Sequence, residues 1–161
     1  MLKTQTDSAE LLCELERFFE VALVFTSQTG DQAFMPRCLV DAAWHDLLKD
    51  TTSYEAFCVR AVDGYIDHRE VIGEGALAWT VLYEDRFGDL PRVWFTAPDG
   101  QFHRDAWDAY KSRIAGDVVR ASWDCSPGFR PKPPLKASWD CTPYFPSRTR
   151  DDPSQLLATR N

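Results

Sequence analysis

Two histidines and a cysteine in the middle of the chain are the residues best suited to binding a metal ion. His45, Cys58 and His68 offer imidazole nitrogen and thiolate sulfur, which are donors that zinc prefers. No two of them lie within one short chelating turn, and a fourth ligand would have to be Asp41, His103 or water. The other interpretation is structural: Asp41 holds the ring of His45 from one helical turn earlier, and Cys58 is a small buried apolar group.

Catalysis by Cys58 would require an exposed thiol with a lowered pKa beside His45 as its base. Cys58 stands between Phe57 and Val59 on a predicted helix, a setting typical of a buried and inert thiol. The sequence contains no glycine-rich phosphate loop, serine nucleophile elbow or HExxH helix. We therefore expect a binding protein rather than an enzyme, with no cofactor apart from zinc if the histidines and Cys58 hold it.

One nine-residue phrase occurs twice near the end of the chain. The first copy is ASWDCSPGF at 121–129 and the second copy is ASWDCTPYF at 137–145, with seven of nine positions identical. Tryptophan and phenylalanine bury large areas at a small entropic cost, and proline reduces the ordering penalty on binding. The candidate partner-binding residues are therefore Trp123, Asp124, Cys125, Phe129, Trp139, Asp140, Cys141 and Phe145.

The sequence leaves four interpretations of the two copies open. In the first, the segment lies on its own protein and each tryptophan fills a groove between helices. In the second, the copies are tandem motifs that engage two sites on another protein and gain avidity. In the third, they are the modified core of a precursor for a peptide-modifying enzyme. In the fourth, Cys125 and Cys141 form a two-thiol metal or redox pair.

Helical periodicity dominates the first two thirds of the sequence. Apolar residues recur every three or four positions from Leu11 to Phe25, after Asp7 as a cap. Further helices are predicted from Pro36, from Thr52, over 74–87 and over 104–115. The stretch between the last two permits one short hairpin around Pro98–Gly100. The sequence thus predicts an all-α fold, a bundle of about five helices with at most one short hairpin.

The composition changes close to residue 118. Seven of the ten prolines follow Arg120, and proline disrupts helices because it lacks an amide donor and its ring clashes with the preceding turn. We predict a helical bundle domain over residues 5–117. An extended, proline-rich C-terminal tail over 118–161 would carry both copies of the repeat.

Net charge and apolar content exclude several classes of partner. The formal charge of −7 repels a phosphate backbone, so nucleic-acid binding is not expected. No stretch approaches the roughly 20 apolar residues of a membrane span, and the first residues lack the pattern of a secretory signal. Five cysteines at irregular spacing are typical of reduced thiols. These features predict a cytoplasmic protein with no membrane contact.

The segment Val40–His68 contains an ordered string of the form Asp-x-x-Trp-His, Tyr-x-x-Phe-Cys, Gly and a final His. Its positions are Asp41, Trp44, His45, Tyr54, Phe57, Cys58, Gly64 and His68. This string resembles the motif of small bacterial helical proteins related to the plant glycine-rich domain-containing protein family. Members often carry a second histidine where this chain has Leu47. The resemblance implies a helical fold and implies no established reaction.

The main functional expectation is a non-catalytic intracellular adaptor that binds another protein through its tandem Trp-Asp-Cys motifs. One alternative is a precursor or substrate of a peptide-modifying enzyme. The other alternative is a small metal-binding helical protein that uses His45, Cys58 and His68.

Overall fold

The computed structural model describes residues 7–114 and 117–131. Along these ranges the elements are α1 (Ser8–Thr29), β1 (Met35–Pro36), α2 (Leu39–Leu47), α3 (Thr51–Val62), β2 (Gly64–Ala76), α4 (Trp79–Phe87), a short 3-10 helix (Arg92–Phe95), α5 (Arg104–Ser112) and β3 (Arg120–Pro131). The second copy of the repeat, with Trp139, Asp140, Cys141 and Phe145, lies outside the described residues.

The long first helix begins and ends as its sequence predicts. The carboxylate of Asp7 accepts a hydrogen bond from the amide of Ala9 at 3.1 Å, which satisfies one of the free amides of the first turn. Gly30 ends the helix in the left-handed conformation, with φ of 78°, and its amide bonds to the carbonyl of Thr26. The residues that α1 buries are Glu14, Leu15, Phe18, Phe19, Val21 and Ala22.

The all-α prediction is wrong, because the fold is a mixed α/β one. Its three strands form an antiparallel sheet in the order β1-β3-β2. Strands β2 and β3 pair from Gly64 opposite Pro131 to Ala76 opposite Arg120, with an irregularity between Glu70 and Gly73. Strand β3 contains the whole first copy of the repeat, so residues that the sequence assigned to an extended tail form the middle of the sheet.

Strand β3 tolerates its prolines because its second neighbour is very short. Strand β1 pairs only with Trp123 and Cys125. Beyond Cys125 that side of β3 has no paired strand among the described residues, and proline is accepted where a strand has a free side. Pro127 and Pro131 lie in this part of β3. Proline content alone therefore misled the prediction of a separate tail at residue 118.

The first tryptophan of the repeat packs inside the domain. The indole of Trp123 stacks on Phe34 with ring centroids 4.2 Å apart and planes 7° from parallel. A side chain is excluded at Gly73, where a Cβ atom would lie 2.9 Å from the indole nitrogen. Trp123 is only 9% exposed. The interpretation in which this tryptophan fills a groove of its own protein fits the position of the first copy.

A buried carboxylate joins α1 to the aromatic part of the core. Glu14 accepts hydrogen bonds from the hydroxyl of Tyr83 at 2.5 Å and from the indole of Trp94 at 2.9 Å. The guanidinium of Arg17 donates to its other oxygen at 3.1 Å. These three donors satisfy a charged group that is only 3% exposed, which burial without partners would penalise strongly.

Candidate metal centre

Helix α2 supplies two of the candidate ligands. Asp41 lies in its first turn and His45 in its last, so both side chains lie on one face of the helix. Oδ1 of Asp41 is 3.3 Å from Nε2 of His45, as the structural interpretation of the sequence expects. The side chain of Asp41 is 6% exposed and that of His45 is 47% exposed, which places the pair between the core and the surface.

Strand β2 supplies the second histidine. Nε2 of His68 lies 3.1 Å from Nε2 of His45, with the two rings nearly perpendicular and their centroids 4.6 Å apart. The edge of Trp44 packs against the ring of His68 at a centroid distance of 4.7 Å. The fold thus brings together the two histidines of the zinc hypothesis.

Strand β3 supplies a thiol that the zinc hypothesis did not include. Cys125 lies opposite Met35 of β1 and Glu70 of β2, and its Sγ donates a hydrogen bond to Oδ1 of Asp41 at 3.3 Å. Its side chain is fully buried. One donor atom from each of Asp41, His45, His68 and Cys125 lies within 4.8 Å of the other three. We call these four residues the metal cluster.

Burial shifts the pKa values of three groups in the metal cluster. Burial, followed by the neighbouring Asp41 carboxylate, raises the pKa of the Cys125 thiol. Burial also raises the pKa of Asp41, against the lowering effect of its hydrogen bond from Cys125. Burial and the nearby His45 lower the pKa of His68. Without an ion, the cluster thus favours a protonated thiol and a neutral His68.

Cys58 lies outside the metal cluster. It is buried on α3, and burial raises the pKa of its thiol. A hydrogen bond from the backbone of Ile66 lowers that pKa, and so does a hydrogen bond with Tyr54. Cys58 therefore contacts Tyr54 and the backbone of Ile66, and the sulfur donor near the histidines is Cys125 from the first copy of the repeat.

The other residues of the family-like string hold β2 in place. The indole of Trp44 donates to the hydroxyl of Tyr54 at 3.1 Å, and that hydroxyl donates to the carbonyl of Ile66 at 2.5 Å. Ile66 precedes His68 by two residues, so both side chains lie on the same face of β2. Phe57 packs edge-on against Phe19 of α1. These contacts fix α2, α3 and β2 around His68.

The remaining predicted contact residues of the first copy are less exposed than a free motif would be. Asp124 lies 3.5 Å from the guanidinium of Arg37, while its Oδ1 is buried without a hydrogen-bond partner in the described residues. Phe129 is half-buried and packs against the core. His103, the third histidine, is exposed at the start of α5 and is not part of the metal cluster.

Nothing in the sequence linked Cys125 to His45 and His68 as a metal ligand. It is far from His45 and His68 along the chain, and only the pairing of β2 with β3 brings it to them. The one available signal was strand alternation in the first copy, which places Trp123, Cys125 and Phe129 on one face. That signal requires the segment to be recognised as a strand.

Comparison with known proteins gives no match: no family model, no curated protein and no solved structure is significantly similar to this chain. The resemblance to the glycine-rich domain-containing proteins thus stays a prediction. Among the described residues, no helix combines the length and the apolar character needed to cross a membrane.

Proposed function

We propose that this chain is a zinc-binding protein whose ligands are Asp41, His45, His68 and Cys125. The observation that carries the proposal is the convergence of four donor atoms, from one helix and two strands, to within 4.8 Å of one another. The proposal keeps the two histidines of the sequence hypothesis, takes Asp41 from the candidates for the fourth ligand, and replaces Cys58 by Cys125.

The distances between the donor atoms suit a tetrahedral ion. Zinc binds nitrogen and oxygen at about 2.0–2.2 Å and sulfur at about 2.3 Å, so tetrahedral donors lie roughly 3.3–3.6 Å apart. In the metal cluster, His45 lies 3.1 Å from His68 and 3.3 Å from Asp41, and Cys125 lies 3.3 Å from Asp41. Small outward movements of these side chains would therefore accommodate the ion.

The donor set favours zinc over other common ions. Two imidazoles and one thiolate are too soft a set for magnesium or calcium, which take oxygen ligands. Four protein donors fill a tetrahedral site and leave no position for substrate, which is the pattern of a structural zinc. This agrees with the expectation of a non-catalytic protein.

The ion would link helix α2 to the sheet. It would join α2, through Asp41 and His45, to β2 through His68 and to β3 through Cys125. Because the unfolded chain has no such preformed site, the binding free energy of zinc adds to the stability of the fold. In this proposal the first copy of the repeat serves as a strand that the metal holds in place.

The adaptor hypothesis gains less support from the described residues. Trp123 and Cys125 are 9% and 0% exposed, so a partner reaches them only if β3 leaves the sheet. The precursor hypothesis meets the same obstacle at Cys125, since a modifying enzyme needs access to the thiol. The zinc proposal requires no such access, because Cys125 would bind the ion from its buried position.

The test is the zinc content of protein purified without chelator, measured by inductively coupled plasma mass spectrometry. We expect one zinc per chain in the unmodified protein and in C58S, and less than a tenth of that amount in C125S. Circular dichroism would confirm that both variants are folded. Zinc that follows Cys58 instead of Cys125, or an unmodified protein that binds no added zinc, would overturn the proposal.

A further inference from the structure

A second feature, separate from the metal cluster, is a cavity of about 250 Å³ between the sheet and helices α4 and α5. Its floor consists of the apolar side chains Leu77, Trp79, Leu90, Trp94 and Phe95. The indole N–H of Trp79 donates to the carbonyl of Phe34 and that of Trp94 donates to Glu14. Because these donors are already used, the floor presents only apolar surface to a ligand.

The rim of this cavity is basic. Arg37, His103 and Arg120 line it, and among the described residues no aspartate or glutamate does, although the whole chain has a net charge of −7. Arg37 has a partner in Asp124 at 3.5 Å. Arg120 has no ion-pair partner within residues 7–114 and 117–131. An anionic group at the rim would therefore meet a guanidinium that no carboxylate neutralises.

Two helices begin at the same rim and add partial positive charge. Trp79 and Thr80 open α4, and His103 and Ala106 belong to the first turn of α5. Neither helix has a side-chain cap, although the amides of Thr80 and Val81 at the start of α4 donate to the carbonyls of Leu77 and Ala78. The positive end of each helix dipole favours a nearby anion. This effect has the same sign as the charge of Arg37 and Arg120.

We propose that this cavity binds a small aromatic carboxylate. The ring would lie on the indoles of Trp79 and Trp94, and the carboxylate would accept hydrogen bonds from Arg120 at the rim. An apolar cavity of about 150 Å³ is large enough for benzene, so 250 Å³ accommodates one ring with a short acidic side chain. Ligand sites of this kind combine apolar walls with a few polar groups that fix orientation.

The test compares phenylacetate with its neutral amide, phenylacetamide, on the full chain. Binding is followed by fluorescence, since Trp79 and Trp94 line the cavity, and by the indole N–H signals in NMR spectra. We expect phenylacetate to bind at least ten times more tightly than phenylacetamide. Equal affinities, or no binding of either compound, would overturn the proposal.

Two variants locate the binding. R120A should weaken phenylacetate about tenfold and leave phenylacetamide unchanged, because only the acid uses the guanidinium. A106F places a ring in the cavity from an exposed helical position and should abolish the binding of both. The matched control is R104A, because Arg104 lies next to His103 but does not line the cavity. A phenylacetate affinity that falls equally in R104A and R120A would contradict a specific site.

The zinc proposal and the carboxylate proposal can be tested separately. H68A removes a metal ligand but does not touch the cavity, so it should lose zinc and keep its affinity for phenylacetate. If H68A keeps its zinc, the metal proposal is wrong and the carboxylate proposal is unaffected. If phenylacetate binding disappears in folded H68A, the cavity is not the binding site.

Discussion

His45 and His68 bring their Nε2 atoms to within 3.1 Å of each other, although α3 and part of β2 separate them along the chain. Two imidazoles at this distance can share one proton, whereas two imidazolium ions would repel each other. His45 accordingly contributes, after burial, to the lowered pKa of His68. A cation between the rings would accept a lone pair from each, and this is why we propose both as ligands of a metal ion.

Replacing His68 should therefore remove the metal. We expect H68A to bind zinc at least a hundredfold more weakly than the unmodified chain, because three donors and an exposed position replace a complete tetrahedral set. A competition titration with a chelating dye measures the affinity. H103A is the matched control, since His103 is exposed and lies outside the metal cluster. A comparable loss in H103A would contradict the assignment of the ligands.

Zinc affinity should fall as the pH falls. Burial and Asp41 raise the pKa of Cys125 above its ordinary value, so the thiol is protonated at neutral pH in the metal-free protein and the ion must displace that proton. Lowering the pH from 8 to 7 should reduce the affinity about tenfold, because one proton is displaced. The dependence should steepen at lower pH, where His68 becomes protonated below the ordinary histidine range because burial and His45 lower its pKa.

Calorimetry in buffers of different ionisation enthalpy measures this proton directly. We expect the release of about one proton per zinc at pH 8, with the sign that makes low pH unfavourable. C125S should release about one proton fewer while binding more weakly. A proton count that is the same in both proteins would mean that Cys125 is not a ligand.

Tyr54 should act on the metal through β2 rather than as a ligand. Y54F removes the hydroxyl that receives the indole N–H of Trp44 and donates to the carbonyl of Ile66, and it leaves that buried N–H without a partner. The expected loss in the free energy of unfolding is about 1–3 kcal/mol, measured with urea. Zinc affinity should fall by about tenfold, as expected for a supporting residue. The control is Y65F, because Tyr65 only partly packs against the core.

Local patterns predicted the helices of this fold better than the sheet. The periodicity from Leu11 to Phe25 and the cap at Asp7 depend on neighbours within one or two turns, and α1 confirms both. The sequence placed the N-cap of α3 at Thr52, but the helix begins at Thr51 and Asp50 is its N-cap. Aspartate and threonine are both good N-cap residues, and Asp50 lies two residues before Thr52. Such signals are local and can be read from short windows.

The sheet and the metal cluster depend on contacts between distant residues. Strand β2 pairs with β3, which begins more than forty residues later, and no local sequence pattern predicts that register. The sequence identified His45 and His68 by residue type, and it identified Asp41 as the neighbour of His45. It offered Cys58, which belongs to the same family-like string as the two histidines, and it did not connect Cys125 with them, because their closeness in space depends on strand pairing.

The buried charge at Glu14 should contribute strongly to stability. E14A leaves the hydroxyl of Tyr83 and the indole N–H of Trp94 without an acceptor, so we expect a loss of roughly 3–5 kcal/mol in the free energy of unfolding. Chemical denaturation measures the loss. E16A is the control on the same helix: Glu16 pairs with the exposed Arg60 at 3.4 Å, and such surface pairs contribute about 0–1 kcal/mol. Similar losses in both variants would contradict a central role for Glu14.

The close approach of Gly73 to Trp123 should make replacement of that glycine costly while the tryptophan is present. In G73A the new methyl group would lie 2.9 Å from the indole nitrogen, and overpacking of this kind costs about 1–3 kcal/mol. W123L removes the overlapping ring, so G73A should cost much less in that background, and the double-mutant cycle should give a coupling energy above about 1 kcal/mol. Equal costs in the two backgrounds would mean that the indole does not lie over Gly73 in solution, and that β3 does not pair with β2 in this register.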